Sequence, residues 1–453
     1  MRILNTGAVA CYLVVLDTVL NLPGIVNAIN PLVQNIYTAD PAPLVHDGRV
    51  YLYTGHDEDN STDFNMQDWH VFSSVDMANW QHHGSPMSLS TFSWAIARAW
   101  AGQAIERNGK FYWYVPVESV GKGMAIGVAV SDSPTGPFVD AIGEPLLANN
   151  EIDPTVFIDD DDQAYLYWGN PNLWYVKLSE DMISLSGEIT KVEMSVDSFG
   201  GRTGNPDRSY IYEEGPWLYK RGGIYYMVFA AACCPENIQY STGPSATGPW
   251  TYQGIIQPAE GRSFTNHVGI IDYKGISYYF YHDGALPGGS GFTRSVSLES
   301  FVYNADGTIP RIPMTKEGPA QLGTLNPFVR QEAETMAWGS GIETETSYQG
   351  GMDVTWINNK DYVQVIGVNF GTGAVSFTAS VASARDGGTI ELRIDAVDGP
   401  IIGTCTVPGT GGWQTWNNIS CAVTGAAEVH DLFFVFYGAD DYFLFNFDWW
   451  QFA

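Results

Sequence analysis

The chain has 453 residues, of which 14% are aromatic and only 16% are charged, and its formal net charge is -29. This length predicts two or three domains, and the composition argues against a disordered protein. The negative charge argues against nucleic acid or an anionic membrane as a partner, because both are bound by basic patches.

The N-terminus has the pattern of a secretory signal peptide. Arg2 precedes an apolar run over residues 8–22, and small residues follow at Val26-Asn27-Ala28. This order predicts a signal peptide over residues 1–28, although Asp17 is unusual inside such a run. No later segment has the apolar length needed to span a bilayer. We therefore expect a secreted, extracellular monomer.

One sequence pattern recurs five times between residues 29 and 325. A polar residue leads each copy, small and apolar residues follow, and a turn rich in Asp, Asn or Gly precedes an aromatic-rich strand. Each copy predicts a β-hairpin, and the period of roughly 50 to 63 residues is typical of a propeller or solenoid. The leading residues are Asp40, Gln103, Asp153, Glu214 and His267.

Each copy is the first half of a longer repeat unit. The second half contains a segment such as Ser131-Asp-Ser-Pro-Thr-Gly-Pro-Phe138 and is predicted to form two further strands. Five units of two hairpins each would close a ring of four-stranded blades without long free edges. Residues 29–325 are thus predicted to form an all-β, five-bladed β-propeller. After the linker Gly323-Thr-Leu-Asn-Pro-Phe328 the pattern changes to short strands and turns. This change predicts a β-sandwich (jelly-roll) domain over residues 326–453.

The leading residues of the five copies are expected to meet, because the innermost strand of each blade lines the channel of a propeller. Asp40, Asp153 and Glu214 would converge there, joined by Gln103 and His267. Carboxyls that share a pocket have pKa values pushed apart by charge and burial. Two carboxyls with separate acid and base roles are what glycoside hydrolysis requires. The alternative is a wet or ion-binding channel without catalysis.

Three of these leading segments also carry a family resemblance. Thr38-Ala-Asp40-Pro-Ala-Pro, Ile152-Asp153-Pro-Thr and Glu214-Gly-Pro-Trp resemble the catalytic blocks of glycoside hydrolase family 43. Flanking segments, for example Asn266-His-Val-Gly-Ile-Ile-Asp-Tyr, are similar to those of the arabinoxylan arabinofuranohydrolases of that family. The resemblance implies that Asp40 is the general base, Glu214 the general acid, and Asp153 the residue that tunes and orients the acid.

The family acts with inversion, which requires room for a water beside the base. The resemblance therefore implies a separation of roughly 6.5 to 9.5 Å between the Asp40 and Glu214 carboxyls. Glu213 is expected to point away from Glu214, because neighbours on a strand face opposite sides. His267 matches a family histidine that holds calcium through water, although an imidazole is a poorer calcium ligand than oxygen.

The resemblance also implies a set of sugar-binding residues around the channel mouth. Aromatic faces suit sugar rings, and Trp100 is the strongest of the set, with packing between blades as its alternative. The family often has Pro where this chain has Gly102, which puts the fine specificity in doubt. The complete set is Trp100, Trp168, Asn170, Arg294, His56 and Phe92.

The C-terminal domain resembles carbohydrate-binding module family 6, through segments such as Gln331-Glu-Ala-Glu334 and Asn446-Phe-Asp-Trp-Trp-Gln-Phe452. The implied structural calcium ligands are Glu332, Glu334 and Asp448, which are hard oxygen donors. The implied sugar site consists of the aromatic pair Trp356 and Trp413 with Asn446 and Glu345 as polar anchors. The alternative for both tryptophans is an ordinary core position.

The cysteines and sequons fit an oxidising, extracellular compartment. Cys405 and Cys421 lie on neighbouring predicted strands and could form a disulfide. The adjacent Cys233 and Cys234 could be bonded to each other or remain thiols. Asn60-Ser-Thr and Asn418-Ile-Ser are N-glycosylation sequons.

The resulting hypothesis is an inverting α-L-arabinofuranosidase that removes arabinose from arabinoxylan or a related plant-wall polysaccharide. A β-xylosidase or a bifunctional enzyme is the first alternative, because specificity depends on the loops of the channel mouth. A glycan-binding propeller scaffold is the non-enzymatic alternative.

Overall fold

The computed structural model describes residues 26–205, 207–439 and 442–453. Most of the predicted signal peptide, residues 1–25, lies outside the described residues. The fold is almost entirely β, as predicted, with a five-bladed propeller followed by a curled β-sandwich. The short helix α1 (Val196–Phe199) and a 3₁₀ turn at Leu89–Thr91 lie in loops of the propeller. No helix among the described residues has the length and apolar character to cross a membrane.

The propeller is built from antiparallel sheets arranged in chain order. Four blades comprise β2–β6, β7–β11, β12–β15 and β16–β19, while the fifth has the three strands β20–β22. The strands are β1 (Asn27–Ile29), β2 (Tyr37–His46), β3 (Arg49–Asp57), β4 (Asp68–Ser74), β5 (Trp80–His82), β6 (Met87–Ser88), β7 (Ala95–Ala97), β8 (Gln103–Arg107), β9 (Lys110–Ser119), β10 (Gly123–Ser131), β11 (Val139–Asp140), β12 (Thr155–Ile158), β13 (Ala164–Trp168), β14 (Trp174–Leu178), β15 (Leu185–Lys191), β16 (Tyr212–Arg221), β17 (Ile224–Ala231), β18 (Asn237–Gly243), β19 (Thr251–Gln257), β20 (Val268–Tyr273), β21 (Ile276–Asp283), β22 (Ser295–Phe301) and β23 (Glu317–Ala320).

The N-terminal segment closes the ring against the fifth blade. The side-chain amide of Asn30 donates to the Leu298 carbonyl at 3.0 Å and accepts from the Leu298 N–H at 2.9 Å. Strand β1 pairs antiparallel with β23, and Ala28 is buried between them and the sandwich. The predicted cleavage point after Ala28 therefore falls inside a strand of the propeller.

Aromatic side chains fill the spaces between blades. The ring of Tyr53 in the first blade meets Trp113 in the second at 4.7 Å, edge to face. Phe138, from the second half of the second unit, packs on Trp113 at 5.2 Å. Edge-to-face pairs of this kind add to the free energy gained by burial. These contacts explain why each repeat carries an aromatic-rich strand.

Backbone irregularities place the catalytic carboxyls. Asp40 and Asp153 have φ angles of 54° and 60°, and Gly215, next to Glu214, has a φ of 59°. The pairing of β2 with β3 and of β16 with β17 shifts register at Asp40 and at Glu214. A bulge re-aims a side chain out of the regular alternation. A left-handed conformation at a residue other than glycine is uncommon and is concentrated at functional sites.

The C-terminal domain is one curled sheet of 11 strands whose two halves face each other around an apolar core. The disulfide Cys405–Cys421 joins β32 to β33, in agreement with the predicted neighbouring strands. The strands after the propeller are β24 (Gln331–Glu332), β25 (Thr335–Met336), β26 (Trp338–Ser340), β27 (Glu343–Thr346), β28 (Met352–Thr355), β29 (Tyr362–Asn369), β30 (Ala374–Ala382), β31 (Gly388–Ile394), β32 (Ile401–Val407), β33 (Asn417–Ala426), β34 (Val429–Tyr437) and β35 (Asn446–Phe452).

The two domains share a sheet. Strand β25 pairs with β5, so a segment of the C-terminal half extends the first blade. Next to β5, the Asn79 side chain donates to the Ile366 carbonyl at 3.0 Å and accepts from the Ile366 N–H at 2.9 Å. These buried hydrogen bonds fix the sandwich against the outer edge of the first blade.

Candidate active site

A cavity of about 360 Å³ lies at one mouth of the propeller channel. Its lining contains all three predicted catalytic carboxyls, Asp40, Asp153 and Glu214. Four of the other predicted site residues also line it, namely Trp100, Asn170, Arg294 and His267. The cavity therefore brings together predicted site residues from all five units of the propeller.

Arg294 holds Asp40 in place. The guanidinium of Arg294 donates from Nη1 to Asp40 Oδ1 at 3.0 Å. Its Nε and Nη2 donate to the two oxygens of Asp57 at 2.9 and 2.8 Å, and all three side chains are buried. A fork of this kind fixes the guanidinium in one orientation. Asp57 was not predicted as part of the site, although it ends the strand that pairs with the Asp40 segment.

His282 fixes the backbone of Asp40. The N–H of Asp40 donates to Nδ1 of His282 at 3.0 Å, so the ring carries its proton on Nε2 and donates it to the Thr265 carbonyl at 3.1 Å. Burial lowers the pKa of His282 well below its usual range, so the ring is neutral. No sequence motif predicted a role for His282.

Asp153 lies beside the acid and is deeply buried. Its Oδ2 accepts from the N–H of Gly215 at 3.0 Å, which connects it to the residue after Glu214. Burial and the charges of Glu214 and Asp40 raise the pKa of Asp153 well above its usual range. Asp153 therefore holds a proton at pH values where an exposed aspartate is ionised.

Glu214 carries the features of a general acid. Burial, followed by the charge of Asp40, raises its pKa, while a hydrogen bond donated by the Asn170 amide to Oε2 opposes this rise. A raised pKa keeps a carboxyl protonated for donation near neutral pH. The buried Glu236 also lines the cavity, and sequence reasoning missed it.

Glu213 also lines the cavity, contrary to the expectation that it points away from Glu214, but its carboxylate has different partners. Its carboxylate is paired with Arg202 and Arg208, and it accepts from the N–H of Cys233 at 3.1 Å. Cys233 and Cys234 form a disulfide with each other, and both line the cavity. The adjacent cysteines are therefore part of the wall of the site.

Gln103 does not reach this cavity, contrary to the expectation that all five leading residues meet. Its Oε1 accepts from the Thr155 hydroxyl at 2.6 Å and from the Val156 N–H at 3.1 Å. Its amide donates to the Val156 carbonyl at 3.2 Å. The side chain therefore joins the inner strands of the second and third blades.

Three predicted substrate contacts are wrong in this structure, because their side chains are buried in the core or paired elsewhere. Trp168 is fully buried and donates from Nε1 to Asn149 Oδ1 at 3.0 Å, and Phe92 is 1% exposed and packs in the core. His56 bonds through Nδ1 to Asp68 Oδ1 at 2.9 Å, outside the residues that line the cavity. Residue type alone did not indicate in which direction each of these side chains points.

The predicted sugar site of the sandwich is partly assembled. Asn446 donates to Oε1 of Glu345 at 2.6 Å and to Asp353 at 3.0 Å, and Gln414 donates to the same two acidic residues. Trp356 is 56% exposed, which excludes the core alternative, and its ring lies 5.0 Å from Phe443. Trp413 is half-buried in the loop before β33.

Two of the three predicted calcium ligands in the sandwich fit a hard cation. Neither oxygen of Asp448 has a hydrogen-bond partner among the described residues, and Oε2 of the buried Glu334 has none. Glu332 is instead bound by Arg330 at 2.8 Å through both oxygens. Glu334 and Asp448 would thus hold the ion, which would cancel the repulsion between buried carboxylates.

The propeller channel offers poorer ligands for calcium than the sandwich does. Nδ1 of His267 lies 3.8 Å from Asp40 Oδ1, which brings one nitrogen and one oxygen to a cation that takes six to eight oxygens. These two groups do not fit calcium by themselves, and calcium in the channel stays a prediction.

Comparison with known proteins agrees with this geometry. The model of glycosyl hydrolases family 43 matches residues 28–309, and that of carbohydrate binding module family 6 matches residues 332–453. The chain belongs to glycosyl hydrolase family 43. It is therefore a glycoside hydrolase, and the resemblance seen in its sequence is confirmed.

Relatives of this family 43 hydrolase share both domains or the propeller alone. The arabinoxylan arabinofuranohydrolase of Bacillus subtilis (strain 168) is 36% identical over 94% of this chain and 92% of the relative. A crystal structure of the Bacillus subtilis family 43 arabinoxylan arabinofuranohydrolase in complex with cellotetraose is 35% identical, with a TM-score of 0.80 over 94% of this chain and 97% of that one. A xylosidase/arabinosidase of Bacteroides ovatus is 33% identical over 61% of this chain and 95% of the relative.

Proposed function

We propose that the protein is an inverting α-L-arabinofuranosidase that removes arabinose side chains from arabinoxylan. The convergence of Asp40, Asp153 and Glu214 in one cavity carries this proposal. The relatives favour arabinoxylan as the polymer. The Bacillus subtilis arabinoxylan arabinofuranohydrolase matches 94% of this chain and so spans both domains, whereas the Bacteroides ovatus xylosidase/arabinosidase matches 61%, which is about the length of the propeller.

Each carboxyl has a separate part in the reaction. Asp40, held by Arg294, takes a proton from water, and that water attacks the anomeric carbon of arabinose. Glu214 gives its proton to the glycosidic oxygen as the bond to the sugar breaks. Asp153, hydrogen-bonded to the N–H of the neighbouring Gly215, holds the acid segment in place. Inversion requires about 6.5 to 9.5 Å between base and acid, which leaves space for the water.

The sandwich would hold the enzyme on its polymer. Trp356, Trp413, Asn446 and Glu345 would form the sugar site, and calcium at Glu334 and Asp448 would stabilise the sandwich. Binding of this kind raises the local concentration of substrate without changing the chemistry. A plant-wall polysaccharide outside the cell requires secretion, and N-terminal sequencing of the exported protein would test the predicted leader.

Product analysis on arabinoxylan tests the activity. We expect free arabinose and an unshortened xylan backbone, and proton NMR should show inversion at the first turnover. Asp40→Asn and Glu214→Gln should each abolish release while binding to insoluble xylan persists. Retention of configuration, or near wild-type turnover by either variant, would contradict the mechanism.

A β-xylosidase is the second candidate, favoured by the match to the Bacteroides ovatus xylosidase/arabinosidase along the propeller. Release of xylose from linear xylo-oligosaccharides, with no arabinose from arabinoxylan, would support it. A bifunctional enzyme would release both sugars. A binding scaffold would release neither sugar, yet would retain xylan.

A further inference from the structure

A cluster of metal-ligating side chains lies on the first blade, outside the residues that line the catalytic cavity. It consists of His56 near the end of β3 and of Asp68 and His70 on β4. The antiparallel register of the two strands places His56 beside Asp68, and His70 joins them because residues two apart on one strand share a face. One nitrogen of each histidine and one oxygen of Asp68 all lie within 4.8 Å of one another.

The distances within this cluster suit a small cation. Nδ1 of His56 lies 2.9 Å from Asp68 Oδ1, and Nε2 of His70 lies 3.3 Å from Asp68 Oδ2. The two imidazole rings meet edge to face, with their centroids 4.9 Å apart. Zinc bonds of about 2.1 Å in a tetrahedral site hold two ligand atoms about 3.4 Å apart. The three side chains therefore need only small movements to enclose an ion.

Nε2 of His70 has no hydrogen-bond partner among the described residues. His70 is only 9% exposed, and the approach of Asp68 Oδ2 at 3.3 Å does not have the direction of a hydrogen bond. An ion pair between His56 and Asp68 alone would leave this buried nitrogen unsatisfied, which costs free energy. A cation between the three groups would use the nitrogen as a ligand.

The other nitrogen of His70 is held by a chain of hydrogen bonds that ends in the sandwich. Nδ1 of His70 lies 2.9 Å from Nε2 of the buried His82, and Nδ1 of His82 lies 2.8 Å from the Thr344 hydroxyl on β27. Donation from His70 to His82, and from His82 to Thr344, leaves the lone pair of His70 Nε2 free for a metal. Metal-bound histidines usually donate their second N–H to a neighbouring acceptor in this way.

We propose that His56, Asp68 and His70 bind zinc or another first-row transition-metal dication. Two imidazoles and one carboxylate suit zinc, with water in the fourth position, whereas calcium takes about six to eight oxygens. The site goes beyond the proposed function, because none of the three side chains has a part in the hydrolysis.

The ion would fasten a loop that lines the catalytic cavity. Two of the ligands flank residues 58–67, and within this loop Phe64 and Met66 line the cavity. The Phe64 carbonyl accepts from Nε1 of Trp100 at 3.0 Å, so the loop also positions the predicted sugar-binding tryptophan. Coordination at both ends of the loop should therefore restrict its motion.

Zinc binding by the full chain, without a histidine tag and in excess calcium, tests the site. Excess calcium competes for the oxygen ligands of the sandwich, so we expect one zinc ion per chain by mass spectrometry after dialysis. His56→Gln keeps a donor for Asp68 but removes the nitrogen ligand, and it should weaken zinc binding by at least about 100-fold. His82→Phe removes only the acceptor for His70 and should weaken zinc binding about 10- to 100-fold.

His430→Ala is the matched control and should bind zinc as the wild type does, since His430 forms a surface pair with Asp395 at 2.9 Å. Zinc bound by the wild type in no greater amount than by His56→Gln would overturn the proposal, as would an equal loss in His430→Ala. Zinc should also slow hydrogen exchange over residues 58–67 in the wild type but not in His56→Gln, and unchanged exchange would reject the effect on the loop.

The cobalt(II) form of the wild type decides if His56→Gln fails to fold. A four-coordinate site with nitrogen ligands gives cobalt(II) much stronger visible absorption than water does, and we expect this spectrum. The weak spectrum of hydrated cobalt would overturn the proposal.

Discussion

The guanidinium of Arg294 binds Asp40 and Asp57 at once, at 3.0 Å from Oδ1 of the first and 2.8 Å from Oδ1 of the second. Asp40 and Asp57 lie on the two paired strands at the open end of the first hairpin, and Arg294 comes from the fifth unit. The base is therefore held by a contact that forms only when the ring closes. Buried pairs of this kind are costly to break from one side, because the remaining charge is left without a partner.

Arg294→Met should damage both stability and activity. Loss of the cation leaves Asp57 buried and unpaired, which costs about 3–5 kcal/mol in the free energy of unfolding. Displacement of Asp40 should lower kcat by about 100-fold. Arg294→Lys keeps the charge but cannot form the fork, so it should recover stability more than activity. Urea unfolding and steady-state kinetics measure both, and full activity in Arg294→Lys would contradict the positioning role.

Trp100 and Trp168 form a matched pair, since one lines the cavity and the other is fully buried. Trp100→Ala should lower kcat/KM about tenfold through loss of an aromatic surface for the sugar. Trp168→Ala should instead lower the free energy of unfolding by about 3–5 kcal/mol and leave KM unchanged in the folded fraction. The reverse pattern would show that the cavity is not the substrate site.

Calcium should stabilise the sandwich. Saturation at 100 times the Kd adds about 2.7 kcal/mol when only the folded state binds the ion. We expect a higher Tm with calcium and a lower one with a chelator. Asp448→Asn and Glu334→Gln should each remove this response, because their unpartnered oxygens are the proposed ligands. Glu332→Gln is the control, since Arg330 already occupies its oxygens.

Stability should fall as the pH rises towards 8. Burial, together with the charges of Glu345 and Asp448, raises the pKa of Asp353 to about 8, and burial raises that of Glu343 to about 7. The folded state therefore keeps protons that the unfolded chain releases near pH 4, and their stabilising effect disappears as pH passes through the folded pKa values. The midpoint of urea unfolding should differ less between pH 5 and pH 8 in Asp353→Asn than in the wild type. An equal pH dependence in the variant would exclude Asp353 as a source.

Trp356→Ala and Trp413→Ala should weaken retention on insoluble xylan and spare turnover of short soluble substrates. Both side chains lie in the sandwich, away from the residues that line the catalytic cavity. Trp100→Ala is the converse control and should bind xylan normally. Unchanged retention in Trp413→Ala would exclude it from the sugar site.

Long-range contacts explain what sequence reasoning missed. His282 fixes the backbone of Asp40 from another unit of the ring, and nothing near it in the chain marks it as a site residue. Gln103 leads its repeat as Asp40 does, yet its side chain bonds across to the third blade. The pairing of β25 with β5 likewise joins segments that no local pattern connects.

The sequence by itself determined the all-β architecture, the five repeats and the three carboxyls, because turn residues and alternating strands are local signals and the repeats carry motifs of one family. Only the tertiary structure decided which polar residues face the cavity. A bulge at Asp40 and a positive φ at both Asp40 and Asp153 turn those side chains into the channel, while Trp168 and Phe92 point into the core. The direction of a side chain depends on register and on packing between blades, which no single repeat encodes.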